Sequence, residues 1–202
     1  SVQYTLKKSL GQHFLKDEDI CKKIVDSVQK ENPKQLLEVG PGGGALTKHL
    51  LQIPNIDFKA VELDDNKTAY LKNTYPVLKD KIIAESFLDI DKPFNNSFTV
   101  IGNFPYNISS QILFKILDWK EEVNCMVGMF QKEVAERAAS KEGSKVYGVL
   151  SVLIQAFYKV EYLFDVGPQC FTPPPKVQSG VIRLRRKKET LPVKSERAFN
   201  VL

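Results

Sequence analysis

The chain has 202 residues, 43% of them hydrophobic and 26% charged, a balance that suits one folded domain with at most a small appendage. It contains no apolar run near the ~18 residues that span a bilayer, and the opening SVQYTLKKSLGQHFL has neither the apolar core nor the cleavage site of a secretory signal, so a cytoplasmic protein with no membrane association is expected. The net charge of +5 is uneven: residues 1–167 carry 21 Lys and Arg against 22 Asp and Glu, whereas residues 168–202 carry 8 against 2. Cys21, Cys125 and Cys170 are far apart and form no C-x-x-C pair, so buried, reduced thiols are expected rather than a disulfide framework or a metal site.

The first 16 residues read as a polar, basic arm with Lys7, Lys8 and Lys16. Asp17 then caps a predicted helix to about Gln29, whose apolar face is Ile20, Ile24, Val25 and Val28. QLLEVG (35–40) predicts a buried strand that breaks into Pro41-Gly42-Gly43-Gly44 before a helix, ALTKHLLQ. Strand DFKAVEL (57–63) precedes a helix over 66–73, and KIIAES (81–86) and FTVIGN (98–103) are two further strands. A helix over 108–119, a strand over 123–131 and a helix over 132–140 follow. After a glycine-containing loop, a helix near 148–156 leads to a strand around 157–166, and GVIRLRRK (180–187) is the last strand. The three prolines of GPQCFTPPPKVQS (167–179) argue against helix or strand there. Alternating strands and helices imply right-handed βαβ units, hence a Rossmann-like, mostly parallel sheet of seven strands. Its last two strands, joined by a loop, should form an antiparallel hairpin at one edge.

SERAFNVL (195–202) resembles the first turn of a helix, with Ser195 as its cap. Because its apolar stripe has nothing to bury against, the expected organisation is a catalytic domain over 1–188 followed by a linker and the start of a truncated helical domain over 189–202.

Glu38-Val39-Gly40-Pro41-Gly42-Gly43-Gly44 follows a strand and opens a helix. Glycines there permit a tight turn and close approach of a ligand to the backbone. Gly40, Gly42 and Ala45 also satisfy the dinucleotide pattern G-x-G-x-x-G/A, and Glu62 could hold a ribose in either case. The next strand ends favour a single adenosine: Glu62 can accept both ribose hydroxyls and Asp89, after the third strand, can accept an adenine amino group. Asn103-Phe104-Pro105-Tyr106 ends the fourth strand. An exocyclic adenine nitrogen is a poor nucleophile because its lone pair is delocalised into the ring. The Asn103 side-chain oxygen and a carbonyl of the Pro105-constrained turn can accept its two N–H groups and free that lone pair, while Tyr106 offers a stacking surface for a flipped base.

GNFPYNIS (102–109), KKSLGQHFL (7–15), LLEVGPGGGALT (36–47) and FTPPPKVQSGV (171–181) together resemble the small-subunit ribosomal RNA adenine dimethyltransferases, the kasugamycin-sensitivity enzymes, in order and through nearly the whole chain. The resemblance implies a class I methyltransferase fold and S-adenosylmethionine as methyl donor. The implied substrate is N6 of two adjacent adenines near the 3′ end of small-subunit rRNA, free or in the immature subunit, with a monomer expected and no metal. It also implies that Gln12, His13 and Leu15 lie over the cofactor, with Gly40 at its methionine part, Glu62 at the ribose, Asp89 at the adenine, Asn103 at the reaction centre, and Gly42 and Leu63 also in the cofactor site. Phe171, from the loop facing Tyr106, is expected to complete an aromatic clamp on the base. The related macrolide-resistance enzymes act on large-subunit rRNA and share the Asn-x-Pro-Tyr core, but Asn107-Ile108-Ser109 resembles the small-subunit branch. A ribosome-assembly factor that merely binds RNA is the reading from another class, against which the glycine loop and Asn103 argue.

The basic run Arg183, Arg185, Arg186 and Lys187, with Lys7 and Lys8, has two readings: a solvated strand end, or a rim that neutralises RNA phosphates beside the active site.

Overall fold

The computed structural model describes residues 13–188. The expectations for Lys7, Lys8, Gln12 and segment 189–202 lie outside these residues. Nine strands and six helices of this region are, in order, β1 (Phe14–Leu15), α1 (Glu18–Gln29), β2 (Gln35–Val39), α2 (Thr47–Leu50), β3 (Asp57–Val61), α3 (Asp65–Thr74), β4 (Ile82–Ile83), β5 (Phe98–Asn103), α4 (Ser109–Asp118), β6 (Val123–Gln131), α5 (Lys132–Ala139), α6 (Val149–Phe157), β7 (Tyr158–Val166), β8 (Phe171–Thr172) and β9 (Ser179–Arg186).

Seven strands form one sheet in the order β4-β3-β2-β5-β6-β9-β7. The first five run parallel, and β9 runs against both of its neighbours, β6 and β7. The hairpin expected at one edge is therefore present, with β7 outermost and β9 one strand inside. Each face of the sheet carries an apolar layer, as a sheet covered by crossover helices must. Strand alternation sends Leu37, Met126 and Phe130 into the layer with α4, and Leu36, Cys125, Val127 and Met129 into the layer with α1. Asp17 caps α1 by accepting from the Ile20 amide at 3.2 Å, and Ile24, Val25 and Val28 are buried beneath it. The three cysteines are free and buried.

Several elements differ from the sequence expectation. The helix predicted over 45–52 is reduced to α2, because the turn through Gly44 (φ +87°) continues over Ala45 and Leu46 and a further turn follows at 51–52. The third strand shrinks from 81–86 to Ile82–Ile83, leaving Glu85 and Ser86 in a loop at its end. The end of the basic arm, residues 14–16, meets the proline-rich loop: β1 pairs antiparallel with β8, Leu15 opposite Phe171, and the Lys16 amide donates to the Cys170 carbonyl at 2.8 Å. Burial of Leu15 and Phe171 drives this local pairing, and Pro173 ends it.

Candidate active site

A cavity of about 810 Å³ opens at the carboxyl ends of β2, β3, β4 and β5, where open α/β sheets bind ligands. Its floor is the glycine loop. Gly40 and Gly42 adopt φ of +66° and +58°, and the Gly40 amide donates to the Val61 carbonyl at 2.9 Å. A Cβ on Gly42 would lie 3.3 Å from the Phe14 ring, so a side chain here would be both strained and crowded.

Glu62 follows β3 and is buried, its carboxylate held from two sides. Oε1 accepts the Gly42 amide and Oε2 the Asp64 amide, each at 3.1 Å. Two amide bonds leave lone pairs on both oxygens for further donors. Leu63 borders the same cavity and is 66% exposed. Glu38, the last-but-one residue of β2, is buried in the wall. Burial pushes its carboxyl up to about 8, the Thr47 hydroxyl bond at 2.5 Å opposes this, and Glu62 adds to it. Lys67 on α3 is also buried in the wall, 4.9 Å over the Phe14 ring. Burial lowers its pKa against the opposing pull of Glu62 and Asp64.

The second half of the cavity is built on Asn103, Pro105 and Tyr106. Asn103 ends β5, and its Nδ2 donates to the His13 carbonyl at 3.2 Å, which leaves Oδ1 as the acceptor arm of a fixed amide. Phe104 turns away from the cavity mouth into the core, against Phe130 at a centroid distance of 5.0 Å. Its ring fills the space above two glycines. A Cβ at Gly102 would come 2.7 Å from this ring, and one at Gly128 would collide with it. Gly102 and Gly128 face each other across the β5–β6 ladder. A glycine inside each of two predicted strands was the available sign of such a close approach. Pro105, at φ −60° and ψ 136°, turns the chain into the short 3-10 segment Tyr106–Ile108. The Tyr106 hydroxyl shares a 2.5 Å hydrogen bond with Ser179, and its ring stacks at 5.7 Å and 28° on His13. The His13 Nδ1 in turn lies 2.7 Å from the Pro173 carbonyl. Neither Ser179 nor Pro173 was singled out by the sequence; both lie in the proline-rich segment that also carries β8.

His13, Leu15, Gly40, Gly42, Glu62, Leu63, Asn103, Phe104, Pro105 and Tyr106 thus line one cavity. Three expectations need correction. Asp89 is exposed and absent from the cavity wall. With β4 ending early, the chain turns so that Glu85, Ser86 and Phe87 border the cavity instead. Phe171 does not face Tyr106: its pairing with Leu15 directs the ring into the α1-side core, where it is 1% exposed, and the ring stacked on Tyr106 is that of His13. The basic run does not rim the cavity. Ser179 lies at the cavity end of β9, and the six residues from there to Arg185 carry the chain about 20 Å away. Arg183 and Arg185 are ion-paired with Glu31 and Glu161, and Arg186 donates to the Lys120 and Phe157 carbonyls. Lys187 is exposed one residue beyond the strand.

The family described as ribosomal RNA adenine dimethylase matches residues 3–202. The chain is 52% identical over 200 residues to the ribosomal RNA small subunit methyltransferase A of Cytophaga hutchinsonii, covering 97% of this chain and 78% of that protein. Among solved structures, a dimethyladenosine transferase from Plasmodium falciparum superposes with a TM-score of 0.77 at 30% identity, over 87% of this chain and 64% of that one. The 23S rRNA methyltransferase ErmE superposes with a TM-score of 0.81 at 25% identity, over 93% and 76%. With its glycine-loop cavity and Asn103-Phe104-Pro105-Tyr106 turn, this chain belongs to the ribosomal RNA adenine dimethylase family, whose methyl donor is S-adenosylmethionine.

Proposed function

We propose that the chain methylates N6 of two adjacent adenines near the 3′ end of small-subunit rRNA, each adenine twice, acting as a cytoplasmic monomer on the rRNA or the immature subunit. The observation that carries this reading is that Asn103 and Tyr106 share one cavity with the glycine loop and Glu62. A base-reaction centre and a nucleoside site are thereby adjacent.

The residues present fit S-adenosylmethionine. Gly40 and Gly42 keep the loop backbone bare, and the Glu62 carboxylate retains acceptor capacity for ribose hydroxyls. Leu63 supplies an exposed apolar face, and Glu85 and Ser86 take the position first assigned to Asp89. When bound, the cofactor supplies a methyl group activated by its sulfonium. The chain's own part is to prepare the nucleophile. Asn103 Oδ1 and a backbone carbonyl of the Pro105 turn accept the two N–H bonds of the exocyclic amine, which restores lone-pair density to the nitrogen. Tyr106 stacks on the flipped base and sets its plane. No strongly basic side chain is needed, because the nitrogen becomes acidic only as the methyl group is transferred.

The test is transfer of labelled methyl groups from S-adenosylmethionine to purified small subunits lacking these modifications, with the modified positions mapped. Label on both adenines is expected; no label on the small subunits, with label appearing instead in a parallel reaction on large-subunit RNA, would overturn the proposal. The 52% identity to a protein named for the small subunit, against 25% to ErmE, favours the small subunit.

A further inference from the structure

We propose that Ser179 is a positioning residue that holds the Tyr106 ring as the platform for the target base, an inference that rests on the role given to Tyr106 above. Tyr106 sits in a short 3-10 segment rather than a regular helix, so its local backbone alone does not fix the ring. Its hydroxyl is the far end of the lever, and that end is bonded to the Ser179 hydroxyl.

Ser179 is well suited to be the fixed partner. It is fully buried and begins β9, where its Cα is paired with Gln131 of β6 on one side and Val166 of β7 on the other. The ladders on both sides fix the Ser179 backbone, and a buried hydroxyl without a partner carries a penalty. The partner it finds is the tyrosine of the Asn-Phe-Pro-Tyr turn. The ring is restrained a second time by His13, stacked along it and tied to the Pro173 carbonyl. Burial raises the Tyr106 pKa and the Ser179 bond offsets part of that rise, consistent with a neutral phenol serving as a surface rather than as a proton carrier. The proline-rich segment thereby acts on the reaction centre through Pro173 and Ser179, and not through the Phe171 ring.

The test compares wild type, Ser179→Ala, Ser179→Thr, Tyr106→Phe and the Ser179→Ala/Tyr106→Phe pair. Single-turnover methyl transfer to small subunits is measured alongside cofactor affinity and melting temperature. Ser179→Ala should lower the rate about 2- to 12-fold, the equivalent of one neutral hydrogen bond. Tyr106→Phe should match it, the pair should be no worse than either single change, and Ser179→Thr should recover most of the loss. Cofactor affinity should stay at the wild-type level. A wild-type rate in Ser179→Ala, or losses that multiply in the pair, would overturn the inference. A separate readout guards against failure of the functional reading itself. In protein labelled with 13C at the tyrosine ζ carbon, the Tyr106 signal, identified by its loss in Tyr106→Phe, should shift and broaden in Ser179→Ala. If the wild type methylates no rRNA adenine the functional reading falls, and an unchanged Tyr106 signal would then sink the Ser179 inference independently.

Discussion

At the carboxyl end of the sheet, Glu62 takes backbone amides as its hydrogen-bond partners, Glu38 takes the Thr47 hydroxyl, and both border a cavity. At the opposite end, Glu31 and Glu161 are matched to the guanidinium groups of Arg183 and Arg185. The two regions are similarly rich in charge and differ in what balances it. Where cationic side chains answer carboxylates, the charge is internal to the fold and contributes modestly to its stability. Where amides and a hydroxyl are the hydrogen-bond donors, as at Glu62 and Glu38, acceptor capacity is left over for a ligand even with the Lys67 ammonium nearby. The comparison teaches that the sign and density of charge along this chain mislead, whereas the partner of each charge identifies the working end.

The largest expected effect that can break this contrast is at Asn103. Asn103→Ala should lower single-turnover methyl transfer by on the order of 100-fold or more while the protein still binds cofactor, as for loss of a transition-state partner. A rate within a few-fold of wild type would move the reaction centre elsewhere. Next comes Glu62→Ala, which should weaken S-adenosylmethionine binding by about 1.5–3 kcal/mol, the range for hydrogen bonds to a charged group. Calorimetry giving wild-type affinity in a folded variant would remove Glu62 from the site.

Glu38 sharpens the comparison through pH. Its folded carboxyl titrates near 8, above the 4.5 of the free group, so between these values the native state holds a proton that the unfolded chain has released. Stability must therefore fall as pH rises from about 5 to 8 by this contribution. Glu38→Gln removes the titration, so denaturant melts across that range should show a flatter profile in the variant; parallel profiles would mean that Glu38 is already ionised. The smallest effect is expected at the other end. Neutralising Arg185, Arg186 and Lys187 together should leave the salt dependence of RNA binding unchanged, whereas true phosphate contacts would reduce the slope by roughly 0.7–0.9 each.

Much of this was legible from local pattern. Asp17 as a cap, the strands over 98–103 and 123–131, and the glycine turn at 40–44 all follow from periodicity and backbone requirements that act within a few residues. What was not legible depended on partners remote in sequence. The arginines of β9 look free until Glu31, more than 150 residues earlier, is folded against Arg185. Phe171 reads as a clamp until Leu15 pairs with it and turns its ring inward. Asp89 lies three residues beyond Ser86, and nothing in LDIDKP reveals that β4 stops early enough to give the cavity wall to the earlier residue.

The wedge of Phe104 over Gly102 and Gly128 also constrains the order in which this lineage can change. While phenylalanine stands at 104, neither glycine can acquire even a methyl group without displacing the ring or the Val39 carbonyl, which lies 2.7 Å from a Cβ at Gly102. A smaller residue at 104 must come first, and it leaves a void under the turn that carries Asn103 and Tyr106. Only a second substitution, at 128, could then refill that void. Taken in the other order, with alanine at 128 while phenylalanine stands at 104, the change meets the Phe104 ring at its first step. Phe104, Gly102 and Gly128 thus form one steric unit beneath the turn that carries Asn103 and Tyr106.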